Sequence, residues 1–257
     1  MYDLTNFTLK DMVECGMTLC QQRLGAKSME SVSNKIVNYF YENLIDQETG
    51  TPACALVRCF KTHPYEELDL ELRESANSMV GSYFPSPSMK CLTLLATAGD
   101  KPEWNSRYTS GGHKAIPLVS EDMVAQFPMI SQLIRQFGLD ISTVLRPDPK
   151  LLVGLEERKL NVFYVPQAVG SSYIPAQDSF VIPFGIKSVL GFGGLLPSGN
   201  LFAIIMFSKV QMTPSTTDMF KTLALNVKSA LLPFDGKAVF EKPSYKDSVL
   251  DYSKFGK

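Results

Sequence analysis

Metal and disulfide chemistry have little to draw on in this sequence. Its 257 residues include two histidines and five cysteines. The cysteine number is odd, and Cys15, Cys20, Cys54, Cys59 and Cys91 form no Cys-x-x-Cys pair. That spacing speaks against a disulfide framework and a structural zinc site, and leaves small buried thiols as the plain reading. No apolar run reaches the roughly 18–20 residues that span a bilayer. The longest candidate, 188–207, is interrupted by Gly191, Gly193, Gly194, Pro197, Ser198, Gly199 and Asn200. The start, Met1-Tyr2-Asp3-Leu4-Thr5, lacks a basic stretch followed by an apolar one, so no signal peptide is expected and a cytoplasmic chain is. A dominant charge is missing too. Lys and Arg number 25 against 26 Asp and Glu, a net charge of -1, which supplies no global field for nucleic acid or anionic lipid. Phosphate loops, GxSxG, HExxH and EF-hand loops are absent. Gly191-Phe192-Gly193-Gly194 lies inside apolar strand sequence with no helix after it. It reads as sheet glycines, placed where a ligand or a helix approaches closely.

What is present is an ordinary folding composition, 45% hydrophobic and 20% charged, which excludes wholesale disorder. Leu9, Met12, Val13, Gly16, Leu19, Cys20 and Leu24 recur at steps of three and four and predict a helix over 8–24, with Gly25 as its stop. Ser28 caps a second helix whose inner face is Val32, Ile36, Phe40 and Leu44. A strand is expected over 53–61, a helix over 66–80 and a second strand over 90–97. Residues 101–112 fit no period. An extended segment at 113–118 follows, then a helix capped by Ser120 with Val124, Phe127, Ile130, Ile134 and Phe137 inward, and a short helix from Asp148-Pro149 to about Lys159. The strand 161–165, a loop 166–178 and a short apolar segment 179–183 lead to a hairpin, 188–195 and 201–209, turning at Pro197-Ser198-Gly199-Asn200. Thr213 and Pro214 open a last helix with Phe220, Leu223, Ala224, Val227, Ala230 and Leu231 in its stripe. Residues 234–257 carry nine charges among scattered aromatics and read as a tail or linker, with Phe240, Tyr252 or Phe255 as docking points.

Mixed order with a terminal hairpin predicts an α+β or α/β sandwich around one antiparallel sheet. In that order, Asn161-Val-Phe-Tyr-Val-Pro166, the Tyr173-Ile-Pro loop, Ser179-Phe-Val-Ile-Pro-Phe184, Ser188-Val-Leu-Gly-Phe192 and Leu201-Phe-Ala-Ile-Ile-Met-Phe207 resemble the closing strands of a GAF-like sensory domain. The opening helices followed by Ala53-Cys-Ala-Leu-Val57 fit as well. The resemblance covers 8–233 and implies a GAF/PAS-like central antiparallel sheet flanked by helices, as in N-terminal input domains of bacterial sensor histidine kinases. It divides the chain into a domain at 1–233 and a tail at 234–257. Two departures stand out. The region 66–159 is longer than a minimal GAF domain needs, and no kinase, cyclase or DNA-binding module follows, so a stand-alone regulator and a fragment of a larger protein both stay open.

The chemistry concentrates in Trp104-Asn105-Ser106-Arg107-Tyr108, a polar-aromatic cluster in a stretch without period. Such a cluster suits a pocket for a small anionic or planar ligand, with Arg107 pairing a carboxylate, or else a lid whose Trp plugs the core. The expected pocket lies on one sheet face under loops 101–113 and 166–178, lined by Cys91, Trp104, Arg107, Tyr108, His113, Tyr173 and Phe192. A small organic ligand or haem is its candidate occupant, with His113 as axial ligand for the latter, while His63 before Pro64 reads as a surface or turn residue. The resemblance admits two other readings. One is a thiol enzyme of the free methionine sulfoxide reductase type using Cys54, Cys59 or Cys91, with Cys54 and Cys59 on opposite strand faces. The other is a dimerisation scaffold, since Met17 and Leu225 lie off the inner stripes of the first and last helices. No cysteine has a neighbouring histidine for a bilin. A homodimer and a downstream domain or partner protein are the expected partners; nucleic acid and membrane are not.

Overall fold

The computed structural model describes residues 1–80, 84–147 and 162–241. The short helix expected at 148–159, the first residue of the strand at 161, and Tyr252 and Phe255 of the tail lie outside them.

Two features of the first 80 residues set the frame. Helix α1 (Leu9–Gln21) opens with a capping box, in which Thr8 accepts from the Asp11 amide and the Asp11 carboxylate accepts from the Thr8 amide. Helix α2 (Met29–Asn43) is capped by the Ser28 hydroxyl. Around this helical pair, β1 (Tyr2–Asp3), β2 (Leu44–Asp46) and β3 (Thr51–Pro52) make a small side sheet, too short to have a readable alternation. The chain then enters β4 (Cys54–Pro64), the long central strand. Helix α3 (Leu70–Val80), β5 (Lys90–Gly99) and β6 (Ala115–Leu118) follow, and then the short helices α4 (Glu121–Ala125), α5 (Pro128–Gln136) and α6 (Ile141–Leu145). Strands β7 (Val162–Val165), β8 (Ser188–Leu195) and β9 (Leu201–Ser208) precede the closing helix α7 (Pro214–Leu231). The main sheet has six strands in the order β6-β5-β4-β9-β8-β7, every pair antiparallel.

Alternation along the strands divides the protein into two cores. Val57, Cys59, Leu190, Phe192, Phe202, Ile204 and Met206 face α1, α2 and α7. Leu56, Phe60, Leu92, Leu94, Phe163, Ala203, Ile205 and Phe207 face α4, α5, α6 and the loops around them. This is the α+β sandwich that the element order predicts, with helices on both faces of one antiparallel sheet. A third, smaller cluster under α3 joins Leu68, Leu72, Ala76, Cys91 and Ala115.

Four expectations are corrected here. The helix expected from Ser120 to Phe137 is broken in two, because Pro128 pushes Phe127 out of the helical region to φ -111, ψ 82 before α5 begins. Cys54 and Cys59 share one core rather than opposite faces. The pairing of β4 with β9 slips between Cys54 and Leu56, and this bulge offsets the alternation by one residue. The segment 179–183 is not a strand. Residues Gln177–Val181 form a π-helical turn, anchored by the Gln177 amide, which donates to the Ile174 carbonyl at 2.7 Å and accepts from the Gly170 amide. His63 is not a surface residue: β4 continues through it, opposite Cys91, and buries it completely.

The sheet glycines have two separate causes. A Cβ at Gly191 would sit 3.1 Å from the Leu133 side chain of α5, a close helix approach. A Cβ at Gly193 would sit 2.1 Å from the Phe202 carbonyl oxygen of the neighbouring strand. Residues 238–241 of the expected tail dock on the open end of α2. The carbonyls of Ala238 and Val239 accept from the amides of Met29 and Glu30, donors that a helix N-terminus leaves unpaired. Phe240 then packs with its ring 5.1 Å from that of His63 and 5.5 Å below the Arg107 guanidinium.

Candidate functional site

On the face covered by the short helices, the sheet leaves a cavity of about 560 Å³. Its floor comes from alternate positions of three strands: Leu56, Arg58 and Phe60 of β4, Ile205 and Phe207 of β9, and Ile116 of β6. The register explains the grouping, since Arg58 lies opposite Ile205 and Leu56 opposite Phe207. One wall is the loop 104–113, the other the loop 173–180, and the Pro128 break brings Phe127, Met129 and Ile130 to the third side. The cavity thus opens beneath the two loops expected to cover it.

Trp104, His113 and Tyr173 of the expected set line this cavity. Trp104 sits in a tight turn, Pro102–Asn105, whose Asn105 side chain accepts from the Gly99 amide at 2.9 Å. The indole packs 4.6 Å from Phe184 and 5.6 Å from Phe180, centroid to centroid, so the same ring is both cavity wall and core plug. A Cβ on Gly99 would come within 2.9 Å of that indole. His113 stands edge-on to Phe127 at the mouth, with its pKa lowered by burial and by the Arg58 charge. The imidazole is therefore neutral near pH 7. It is the one histidine at this cavity. Among the described residues no group of three His, Cys, Asp or Glu side chains is placed to hold a metal ion, so a haem iron would have His113 alone as protein nitrogen.

The other four residues of the expected set lie elsewhere, each for an identifiable reason. Phe192 points to the opposite face, packed against Phe40 and Phe220 at 5.6 and 5.2 Å. Alternation in β8 puts it out of phase with the cavity. Cys91 is buried under α3. Arg107 is 4% exposed and pairs with protein carboxylates: Nε donates to Glu30 at 2.6 Å and an Nη to Asp69 at 3.0 Å. Burial pushes its pKa down, but the Glu30 hydrogen bond and the nearby negative charges outweigh that, and the guanidinium stays charged. Tyr108 belongs to the same cluster, its hydroxyl accepting from Arg107 at 2.7 Å.

The residue that sequence reading passed over is Arg58. Its Nη2 donates to the Ser110 hydroxyl and the Gly111 carbonyl, both at 2.7 Å. Its Nε is buried with no hydrogen-bond partner among the described residues. Among the described residues no carboxylate lies within ion-pair distance of it, and burial pushes its pKa down to about 10. The readable signal was a charged residue on the same strand face as Leu56 and Phe60.

On the other face, Lys61 and His63 make a second buried polar group. Lys61 is 1% exposed and, among the described residues, its ammonium reaches the Thr62 carbonyl at 3.3 Å and the His63 ring at 3.5 Å and no other partner. Burial pushes its pKa down to about 8 and that of His63 to about 4. Burial also pushes the thiols of Cys15, Cys54, Cys59 and Cys91 up to about 12, which removes the thiolate that nucleophilic chemistry needs.

No protein-family model and no curated protein matches this chain. Among solved structures, the chain is similar to the GAF domain from an Acinetobacter phosphoenolpyruvate-protein phosphotransferase, with a TM-score of 0.42 and 11% identity over 91% of this chain and 100% of that one. It is also similar to the phycoerythrobilin-bound GAF domain of a cyanobacterial phytochrome, with a TM-score of 0.38 and 8% identity over 90% and 96% of the two chains. Likenesses of this size leave the fold to be read from this chain's own strands and helices.

Proposed function

We propose that this chain is a sensory domain that binds a small organic molecule in the cavity over β4, β6 and β9 and reports its occupancy through the helices on the opposite face of the sheet. The observation that carries the reading is the cavity itself: it has the volume of a small-ligand site, predominantly apolar walls and few convergent polar groups. Occupancy has a physical route outward. Arg58 in the cavity alternates along β4 with Val57 and Cys59, which pack under α2. A ligand that orders the Ser110–Gly111 end of the lid loop favours one position of that strand and of the helices behind it.

Helices α1 and α7 are close neighbours. The Asn226 side chain fills the space over Gly16, where a Cβ would meet it at 2.7 Å. The outer face of the pair keeps Leu9, Val13, Met17 and Leu225 exposed. That stripe favours a second copy of the chain as the partner through which the helices signal. The raised thiol pKa values count against the thiol-enzyme alternative.

Native mass spectrometry of the protein as purified, beside an Ile205→Trp variant that fills the cavity floor, tests the reading. The expected result is a small bound mass in the parent protein that is missing in the variant. A bare mass in both, with the emission of Trp104 unmoved by a small-molecule cell extract, refutes it.

A further inference from the structure

We infer that the cavity selects a carboxylic acid with an apolar or aromatic body, whose single negative charge is the counter-ion of Arg58. The inference rests on the ligand-binding reading above and names the chemical class of the ligand. Of the described residues lining the cavity, Arg58 is the one that carries a full charge near pH 7, and none of them is acidic. The guanidinium is held in place by two neutral acceptors, the Ser110 hydroxyl and the Gly111 carbonyl, and these orient it without cancelling its charge. Contrast Arg107, equally fixed but neutralised by Glu30 and Asp69. A half-buried cation without a counter-ion is costly, and a bound anion relieves that cost. Nη1 has no acceptor among the described residues, so a donor remains after the loop has been held, while Nε is unpaired but itself buried.

The remainder of the lining fixes the rest of the molecule. Leu56, Phe60, Trp104, Phe127, Ile205 and Phe207 offer aliphatic and ring surfaces, and the indole N–H, Gln126, Tyr173 and Ser179 add only neutral hydrogen-bonding groups. A phosphate or a dicarboxylate needs more cationic donors than one arginine and a neutral His113 supply. A free amino group has no carboxylate to meet. One charge at one end of an apolar body is what the walls complement.

Trp104 is the chain's one tryptophan and it lines the cavity, so its emission reports binding there. The probes are matched pairs that share a body and differ in charge: phenylacetate and phenylacetamide, cyclohexylacetate and its amide, 3-methylbutyrate and its amide. Each is titrated against the full chain near pH 7, with emission and thermal midpoint recorded. The expected result is that at least one acid shifts the emission and raises the midpoint, that its amide binds about 10- to 100-fold more weakly, and that Arg58→Gln erases the difference while Arg58→Lys keeps part of it. The comparison within pairs is made on the parent protein, so it stands even if Arg58→Gln fails to fold. Amides that bind as tightly as their acids overturn the carboxylate assignment and leave the ligand site standing. If no member of any pair moves the Trp104 emission or the midpoint, the assignment and the ligand reading of this cavity fall together.

Discussion

Lys61 is fully buried beside His63 with only long contacts to its ammonium among the described residues, and replacing it with methionine should stabilise the protein. The size follows from the proton affinity. Burial, the largest influence, is opposed by Asp235 and Glu67 and assisted by Lys90, and together they pull the Lys61 pKa from 10.5 down to about 8. One unit corresponds to about 1.4 kcal/mol between protonation states, so keeping the proton in the native state costs roughly 3 kcal/mol at pH 7. The sign is set by which state holds more protons. Between about pH 8 and 10.5 the unfolded chain keeps the lysine proton and the native state does not, so native stability rises with pH through that window. Below pH 8 both states are protonated and the whole penalty is present. Lys61→Met keeps most of the buried stem and removes the charge. Urea unfolding followed by far-ultraviolet circular dichroism should therefore give the variant an advantage of roughly 3 kcal/mol at pH 7, shrinking to about 1 kcal/mol at pH 9.5. Other groups that titrate at high pH are common to both proteins and cancel in the difference. A variant less stable than the parent at pH 7, or a difference that stays constant from pH 7 to 9.5, would refute the argument and assign the ammonium a compensating partner.

Three further outcomes follow from the packing. Gly193→Ala places a methyl 2.1 Å from the Phe202 carbonyl oxygen, so the β8–β9 pairing has to part; a loss of about 3 kcal/mol in chemical unfolding is expected, and a loss under about 1 kcal/mol would show that the strands can yield there. Glu30→Ala strips Arg107 of its closest carboxylate and the Glu241 amide of its acceptor; a loss of about 3 kcal/mol should come with faster proteolysis after residue 236, and unchanged proteolysis would break the link between Arg107 and the docked segment. In the native protein an aromatic disulfide reagent should titrate Cys20 quickly and the four buried thiols only on unfolding, whereas fast modification of Cys54, Cys59 or Cys91 would revive the thiol-enzyme reading.

The sequence exposed its elements far better than its faces. The hairpin 188–195 and 201–208, the caps at Ser28, Ser120 and Thr213 and the stripe of α7 were legible because each depends on neighbours within a few residues. The two loops over the cavity were legible for the opposite reason: they break every period. Choosing which residues on those loops and strands turn inward needs information that local pattern does not hold. A two-residue alternation tells that Leu190 and Phe192 share a face, but both faces of this sheet are apolar, so nothing in β8 says which one meets the cavity. Arg107 and Arg58 show the same limit in charge. From sequence, Arg107 was the more conspicuous, sitting among Trp104 and Tyr108 in an irregular loop, while Arg58 was one cation in an apolar strand. What separates them is where the acids are. Glu30 and Asp69, distant in sequence, fold onto Arg107 and use up its charge. Arg58 receives a hydroxyl and a carbonyl instead and keeps its charge for whatever enters the cavity. A strand residue that violates the polarity of its own face is therefore a better pointer to a ligand than a cluster of suitable residue types, because the violation persists in the fold only where something outside the chain can answer it or the chain bears the cost.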